Sequence, residues 1–133
     1  MSGFDWPVRV YYEDTDAGGV VYHTGYLRFF ERGRTEWLRS LGYSQARLVD
    51  EAGLLFTVVS LTTQFRQPAR LDDLLTVRTQ VQELGGATVT FGQQIIRDPQ
   101  AEPLASGVVR VACLDAATFR PRRMPEDLRR EMS

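Results

Sequence analysis

The chain has 133 residues, 43% of them hydrophobic and 25% charged, with a net charge of −1. That length suits one domain, residues 1–133, with its own core, and near-neutrality gives no overall attraction to nucleic acid or an anionic membrane. A single cysteine, Cys113, excludes an intrachain disulfide, and no apolar run approaches the roughly 20 residues that span a bilayer. The N-terminal stretch MSGFDWP lacks a basic segment followed by an apolar one, so it does not read as a signal peptide. A soluble, cytoplasmic protein is expected.

Taken in order, residues 8–13 alternate Val8, Val10 and Tyr12 with Arg9, Tyr11 and Glu13, a period of two that predicts a strand. Residues 14–19 break it with aspartates and the Gly18-Gly19 pair, which are loop chemistry. From residue 26 to 42 the spacing changes. Leu27, Phe30, Arg34, Trp37, Leu38 and Leu41 recur at steps of three and four, marking one face of an amphipathic helix, with Thr24 as N-cap and Gly42 as the closing glycine. Gly33 inside this helix means either close approach of a strand or simple tolerance.

Residues 44–52 predict a short second helix ended by Gly53. Strand patterns follow: 54–65, stopped by Pro68; Leu75, Val77 and Val81; then, after a Gly85-Gly86 turn, Val89, Phe91 and Ile95, ended at Asp98-Pro99; and about 105–114, with Val109, Val111 and Cys113 on one face. The tail is basic and then briefly helical. Four consecutive strands with short links predict antiparallel pairing, so the fold class is α+β, one sheet with a helix on a single face.

The chemistry concentrates in residues 13–23. Asp16 lies in the loop just before a helix N-terminus, whose free N–H groups and positive dipole end can polarise a carbonyl oxygen. A carboxylate there can attack the carbonyl carbon or activate a water; equally, aspartates populate loops for local hydrogen bonding. Asp14, two residues earlier, would share its face if the strand continued. His23 is the only histidine and could act as acid or base, orient a substrate, or merely cover the first helical turn. Ser40, Ser44, Ser60 and Ser106 fall in no nucleophile-elbow pattern. Glu13, Asp14, Asp16 and His23 offer metal ligands, without zinc-site spacing, and both phosphate-loop glycine fingerprints are absent. Tyr11, Tyr12, Tyr22 and Tyr26 could line an apolar pocket, while Phe30, Trp37 and Cys113 read as core. Arg120, Arg122 and Arg123 could grip phosphates or form a solvated end.

The run WPVRVYYEDTDAGGVVYH over residues 6–23 resembles the 4-hydroxybenzoyl-CoA thioesterase family of hotdog proteins, and within it the group associated with the bacterial Tol–Pal system. The likeness continues through Tyr26-Leu27, Phe30-Glu31-Arg32, Arg34-Thr35-Glu36 and residues 68–73. It implies an antiparallel sheet wrapped around one long helix, a homodimer or homotetramer with sites between subunits, and an acyl-CoA substrate. It places the catalytic aspartate on Asp16 and the carbonyl-polarising N–H at about His23. It also implies substrate contacts near Tyr22, Gly25 and Tyr26, with no metal or organic cofactor. Gly25 stands where relatives more often carry asparagine or another small polar residue, which removes a side-chain contribution and leaves the backbone N–H there as a donor. Leu84-Gly85-Gly86-Ala87 lacks the basic hairpin that holds nucleotide phosphates in the 4-hydroxybenzoyl enzyme, leaving Arg120 and Arg122 as candidates. The leading expectation is hydrolysis of an acyl-CoA to acid and CoA. The rival is a non-catalytic scaffold that binds acyl groups, acyl carrier protein or lipid-synthesis enzymes. A hotdog dehydratase carries less weight, since its histidine and acidic residue are spaced differently.

Overall fold

The computed structural model describes residues 3–97 and 102–133; Met1, Ser2 and the strand end expected at Asp98-Pro99 lie outside them. The chain runs β1 (Gly3–Arg9), a 3-10 turn (Tyr12–Asp14), α1 (His23–Ser40), α2 (Gln45–Arg47) continuing into a π turn (Leu48–Ala52), β2 (Leu54–Phe65), β3 (Leu74–Leu84), β4 (Thr88–Ile96), β5 (Ala105–Asp115) and α3 (Glu126–Met132). The five strands form one antiparallel sheet in the order β1-β3-β4-β5-β2. This is the α+β architecture expected, with one difference. β2 does not pair with its successor β3 but crosses to the far edge beside β5.

The inner face of the sheet follows the period of two. Leu75, Val77 and Val81 on β3, Val89, Phe91 and Ile95 on β4, and Val109, Val111 and Cys113 on β5 are all buried. Burial raises the Cys113 thiol above its ordinary range, and nearby Arg122 opposes the shift. Helix α1 lays Tyr26, Phe29, Phe30, Trp37 and Leu38 on this face. The helix begins three residues before the expected start, and its N-cap is Tyr22, not Thr24. The first turn carries no apolar repeat, so periodicity alone begins at Tyr26. Leu41 caps the C-terminus, and Gly42 follows at φ +92°, a left-handed geometry that favours glycine.

Two sequence features resolve on packing. A Cβ on Gly33 would stand 2.7 Å from Val77 Cγ1 and 3.2 Å from Thr79 Oγ1, so the glycine lets α1 approach β3 closely. The strand expected over residues 8–13 stops at Arg9. Val8 and Val10 are buried as expected, but Tyr12 is 82% exposed. The Tyr11 N–H donates to Asp14 Oδ2 at 2.9 Å, and the Asp14 N–H to Tyr11 O at 3.0 Å, curling the chain into a 3-10 turn.

Replacing Gly33→Ala should destabilise the fold by about 1–3 kcal/mol through overpacking, despite the better helix propensity of alanine. Chemical denaturation measures this, and an unchanged or raised midpoint would mean that α1 can lift from β3 without loss.

Candidate active site

The loop carrying Asp16 is a small, self-bonded turn. The Asp16 N–H donates to Val20 O at 2.9 Å, Gly19 N–H returns to Asp16 O at 3.0 Å, and Gly18 N–H donates to Asp16 Oδ1 at 2.8 Å. Gly19 sits at φ +76°, which the reversal requires. Asp16 is exposed, and its second carboxylate oxygen has no partner among the described residues. Asp14 does not join it. It is 5% exposed, and its carboxylate is held by the Tyr11 N–H, so the two acids serve different ends.

The turn is tied to residues 69–73. Val20 bridges Arg70, Val21 N–H donates to Ala69 O at 2.9 Å, and Val10 N–H donates to Asp73 O at 2.9 Å. Asp73 holds that segment by accepting from Arg70 N–H at 2.9 Å and pairing with Arg97 at 2.8 Å. Partial desolvation pushes the Asp73 carboxyl up, but those bonds outweigh it and leave the group below its usual range.

The chain then enters α1. Gly25 N–H donates to Tyr22 O at 2.8 Å, so the backbone donor expected free at Gly25 is already used. A Cβ there would stand 2.7 Å from Val21 Cγ1, which accounts for the glycine. Among the described residues, no oxygen accepts from the N–H groups of His23 and Thr24, and the first turn holds no acid. These donors and the helix dipole make the start of α1 an acceptor of developing negative charge. The His23 ring stands edge-on between Tyr22, at 4.9 Å, and Phe65, at 5.3 Å. Beside it a cavity of about 230 Å³ is lined by Val21, His23, Tyr26, Phe65, Arg66 and Pro68.

Tyr26 serves this cavity as a wall. It is 4% exposed, and its hydroxyl accepts from Ala69 N–H at 3.0 Å. Tyr11 and Tyr12 are exposed and do not line the cavity. No hydrogen bond joins Asp16 to His23; the turn that carries Asp16 leads through Val20 and Val21 into α1. No group of three or more His, Cys, Asp or Glu side chains converges among the described residues.

Arg120 and Arg122 are not brought to this end. Arg122 donates to Ala52 O at 3.0 Å and faces Asp115 at 3.4 Å. Asp115 pairs with Leu54, at the start of β2, whereas the cavity lies at Phe65, the last residue of that strand. Eleven residues of strand separate them by roughly 35 Å. Arg66, at the cavity rim, was missed in the sequence because it is an isolated cation just past a strand end; its adjacency to Phe65 and the Pro68 stop was the available signal.

The model of the thioesterase-like superfamily matches residues 10–132, and the chain belongs to that family, with its hotdog fold. It is 48% identical to the acyl-CoA thioesterase YbgC of Haemophilus influenzae, over 96% of this chain and 93% of the relative. The acyl-CoA thioester hydrolase YbgC of Escherichia coli O157:H7 is 44% identical over 94% of this chain and 92% of the relative. A probable thioesterase from Bartonella henselae superposes with a TM-score of 0.85 at 38% identity, covering 93% of this chain and all of that one.

Asp14→Ala should cost about 1–2 kcal/mol, since it removes a buried cap and leaves the Tyr11 N–H unpaired. Asp16→Asn, at an exposed position with one local bond, should stay within about 0.5 kcal/mol of the parent. Thermal or denaturant unfolding of both variants checks the pair, and equal losses would contradict this separation of roles.

Proposed function

We propose that this acyl-CoA thioesterase hydrolyses its substrate with Asp16 as nucleophile or general base and the N-terminal N–H groups of α1 as oxyanion donors. The observation that carries the reading is the unpaired N–H groups of His23 and Thr24, beside an apolar cavity and one short turn of chain after Asp16. The thioester oxygen accepts from the His23 N–H, which draws electrons from the carbonyl carbon. A donor of this kind is worth about 3–4 kcal/mol when it is lost from other enzymes.

Attack on that carbon breaks the C–S bond, and CoA leaves as a thiolate that takes up a proton. If Asp16 attacks directly, an acyl–aspartyl anhydride forms and water then cleaves it. If Asp16 acts as base, water attacks first and the acid is released in one step. The His23 ring, fixed by Tyr22 and Phe65, orients the thioester, and Tyr26 walls the acyl side. Neither route needs a cofactor, and one domain supplies every group named.

The working form is a homo-oligomer. Among the described residues β2 bonds only to β5, which leaves its outer edge open, and Val58, Val59 and Leu61 on it are exposed. Antiparallel pairing of two such edges sets a partner's Leu54 end beside this chain's Phe65 end. Any contribution of Arg120 and Arg122 to binding CoA phosphates then crosses that interface, whereas Arg66 and Tyr22 act within the chain.

CoA release, followed with a thiol reagent over short, aromatic and long-chain acyl-CoAs, tests the assignment. Asp16→Ala and Asp16→Asn should lower the rate by about 10²–10⁴-fold. An Asp16→Ala protein as fast as the parent would exclude both roles. No release from any substrate by folded parent protein would favour the binding scaffold for acyl groups or acyl carrier protein.

A further inference from the structure

Phe65, the last residue of β2, lines the cavity of about 230 Å³ beside His23 and packs there on two rings at once. Its centroid is 5.3 Å from that of His23 and 5.4 Å from that of Tyr26. A further cavity, of about 330 Å³, lies between α1 and β2 and is lined by Leu27, Phe30, Val58 and Leu61, among others. The two cavities share no lining residue. Leu27 follows Tyr26 on the helix, and Leu61 precedes Phe65 on the strand. In chain order, Tyr26 and Phe65 are thus the residues of the first cavity nearest to the second.

The backbone fixes where both rings attach. Phe65 pairs with Ala105 in the sheet, and the next two N–H groups, of Arg66 and Gln67, donate to Leu104 O at 2.8 and 3.2 Å. Leu104 and Ala105 are buried, so this anchor is part of the core. Tyr26 is also buried, and its hydroxyl accepts from Ala69 N–H. Swinging Phe65 aside would cost its contacts with His23 and Tyr26 together. An apolar cavity of about 150 Å³ takes a benzene. A space of about 230 Å³ therefore holds only a small acyl group.

Resting on the assignment of the reacting end to Asp16 and the start of α1, we infer that Phe65 is a specificity-determining residue for this reaction: its ring, packed on Tyr26, closes the acyl cavity and restricts the substrate to short acyl groups. A longer chain must displace the ring from both of its neighbours or leave its own end in water. Without the ring, such a chain has room to run on towards Leu61.

The test compares kcat/KM of the full chain on acetyl-, butanoyl-, hexanoyl-, decanoyl- and hexadecanoyl-CoA. The parent should favour butanoyl-CoA over decanoyl-CoA by about tenfold or more, since one methylene at an apolar wall already discriminates on that scale. In Phe65→Ala the decanoyl-to-butanoyl ratio should rise by about tenfold or more, and in Phe65→Leu by less. The lost contact with His23 lowers both rates together, so the ratio reads the wall alone. Phe65 is 45% exposed at the end of an edge strand, and both variants should fold. A parent that takes decanoyl-CoA as well as butanoyl-CoA, or a ratio that moves in neither variant, overturns the inference. If the folded parent hydrolyses none of the esters, the assignment of Asp16 falls separately. Calorimetry with butyl-CoA and decyl-CoA, thioethers that cannot be hydrolysed, then decides this question. Decyl-CoA binding gained in Phe65→Ala upholds the wall, and equal affinities in parent and variant overturn it.

Discussion

The buried hydrogen bond from Ala69 N–H to Tyr26 Oη, 3.0 Å long, ties the start of α1 to the segment that fastens the Asp16 turn. It joins the second residue of the segment 68–73 to the first inward-facing aromatic side chain of α1. On one side Ala69 O accepts from Val21 and Arg70 bridges Val20, so the Asp16 turn is fastened to the same residues. On the other side Asp73 O and Asp72 N–H clasp Val10, at the end of β1. Loss of the tyrosine hydroxyl would strand a buried donor at about 1–3 kcal/mol, but the larger effect would be geometric. Loop, helix start and strand would lose their common reference, and positioning errors near 1 Å matter greatly to catalysis.

A second constraint works at the middle of α1. Gly33 brings the helix against Val77 and Thr79, and this proximity allows Gln93 to reach the Phe30 carbonyl and the Arg34 guanidinium. The absence of one methyl group therefore permits a polar cluster within an otherwise apolar layer. Such a cluster is tolerable only when fully bonded, and Gln93 achieves that by using both ends of its amide.

Much of this was legible in the sequence, for identifiable reasons. The alternation of Val89, Phe91 and Ile95, and of Val109, Val111 and Cys113, is strong because these strands are covered on one face only. The same alternation already put Gln93 inward, between Phe91 and Ile95, although its polarity disguised it. The 3-10 turn at Tyr12–Asp14 was hidden, because a carboxylate that bonds a backbone N–H three residues back leaves no trace in hydrophobic periodicity. The placement of Arg120 and Arg122 was hidden for another reason. Charge says nothing about which end of a sheet a tail reaches, and only the Leu54–Asp115 register reveals it. The long motif around Asp16 pointed to the correct family, while the pairing of donors at Gly25 could be seen only in three dimensions.

The open edge of β2 also bears on how the protein is made. Twelve residues of unpaired ladder, with a register shift between Val58 and Ser60 and few charges beside it, are a template for any passing strand. If two copies pair through this edge, as proposed above, a newly synthesised chain is exposed to wrong strands until it meets its mate. Changes along this edge would then show first as poor yield and inclusion bodies, well before any fall in the activity of the protein that survives.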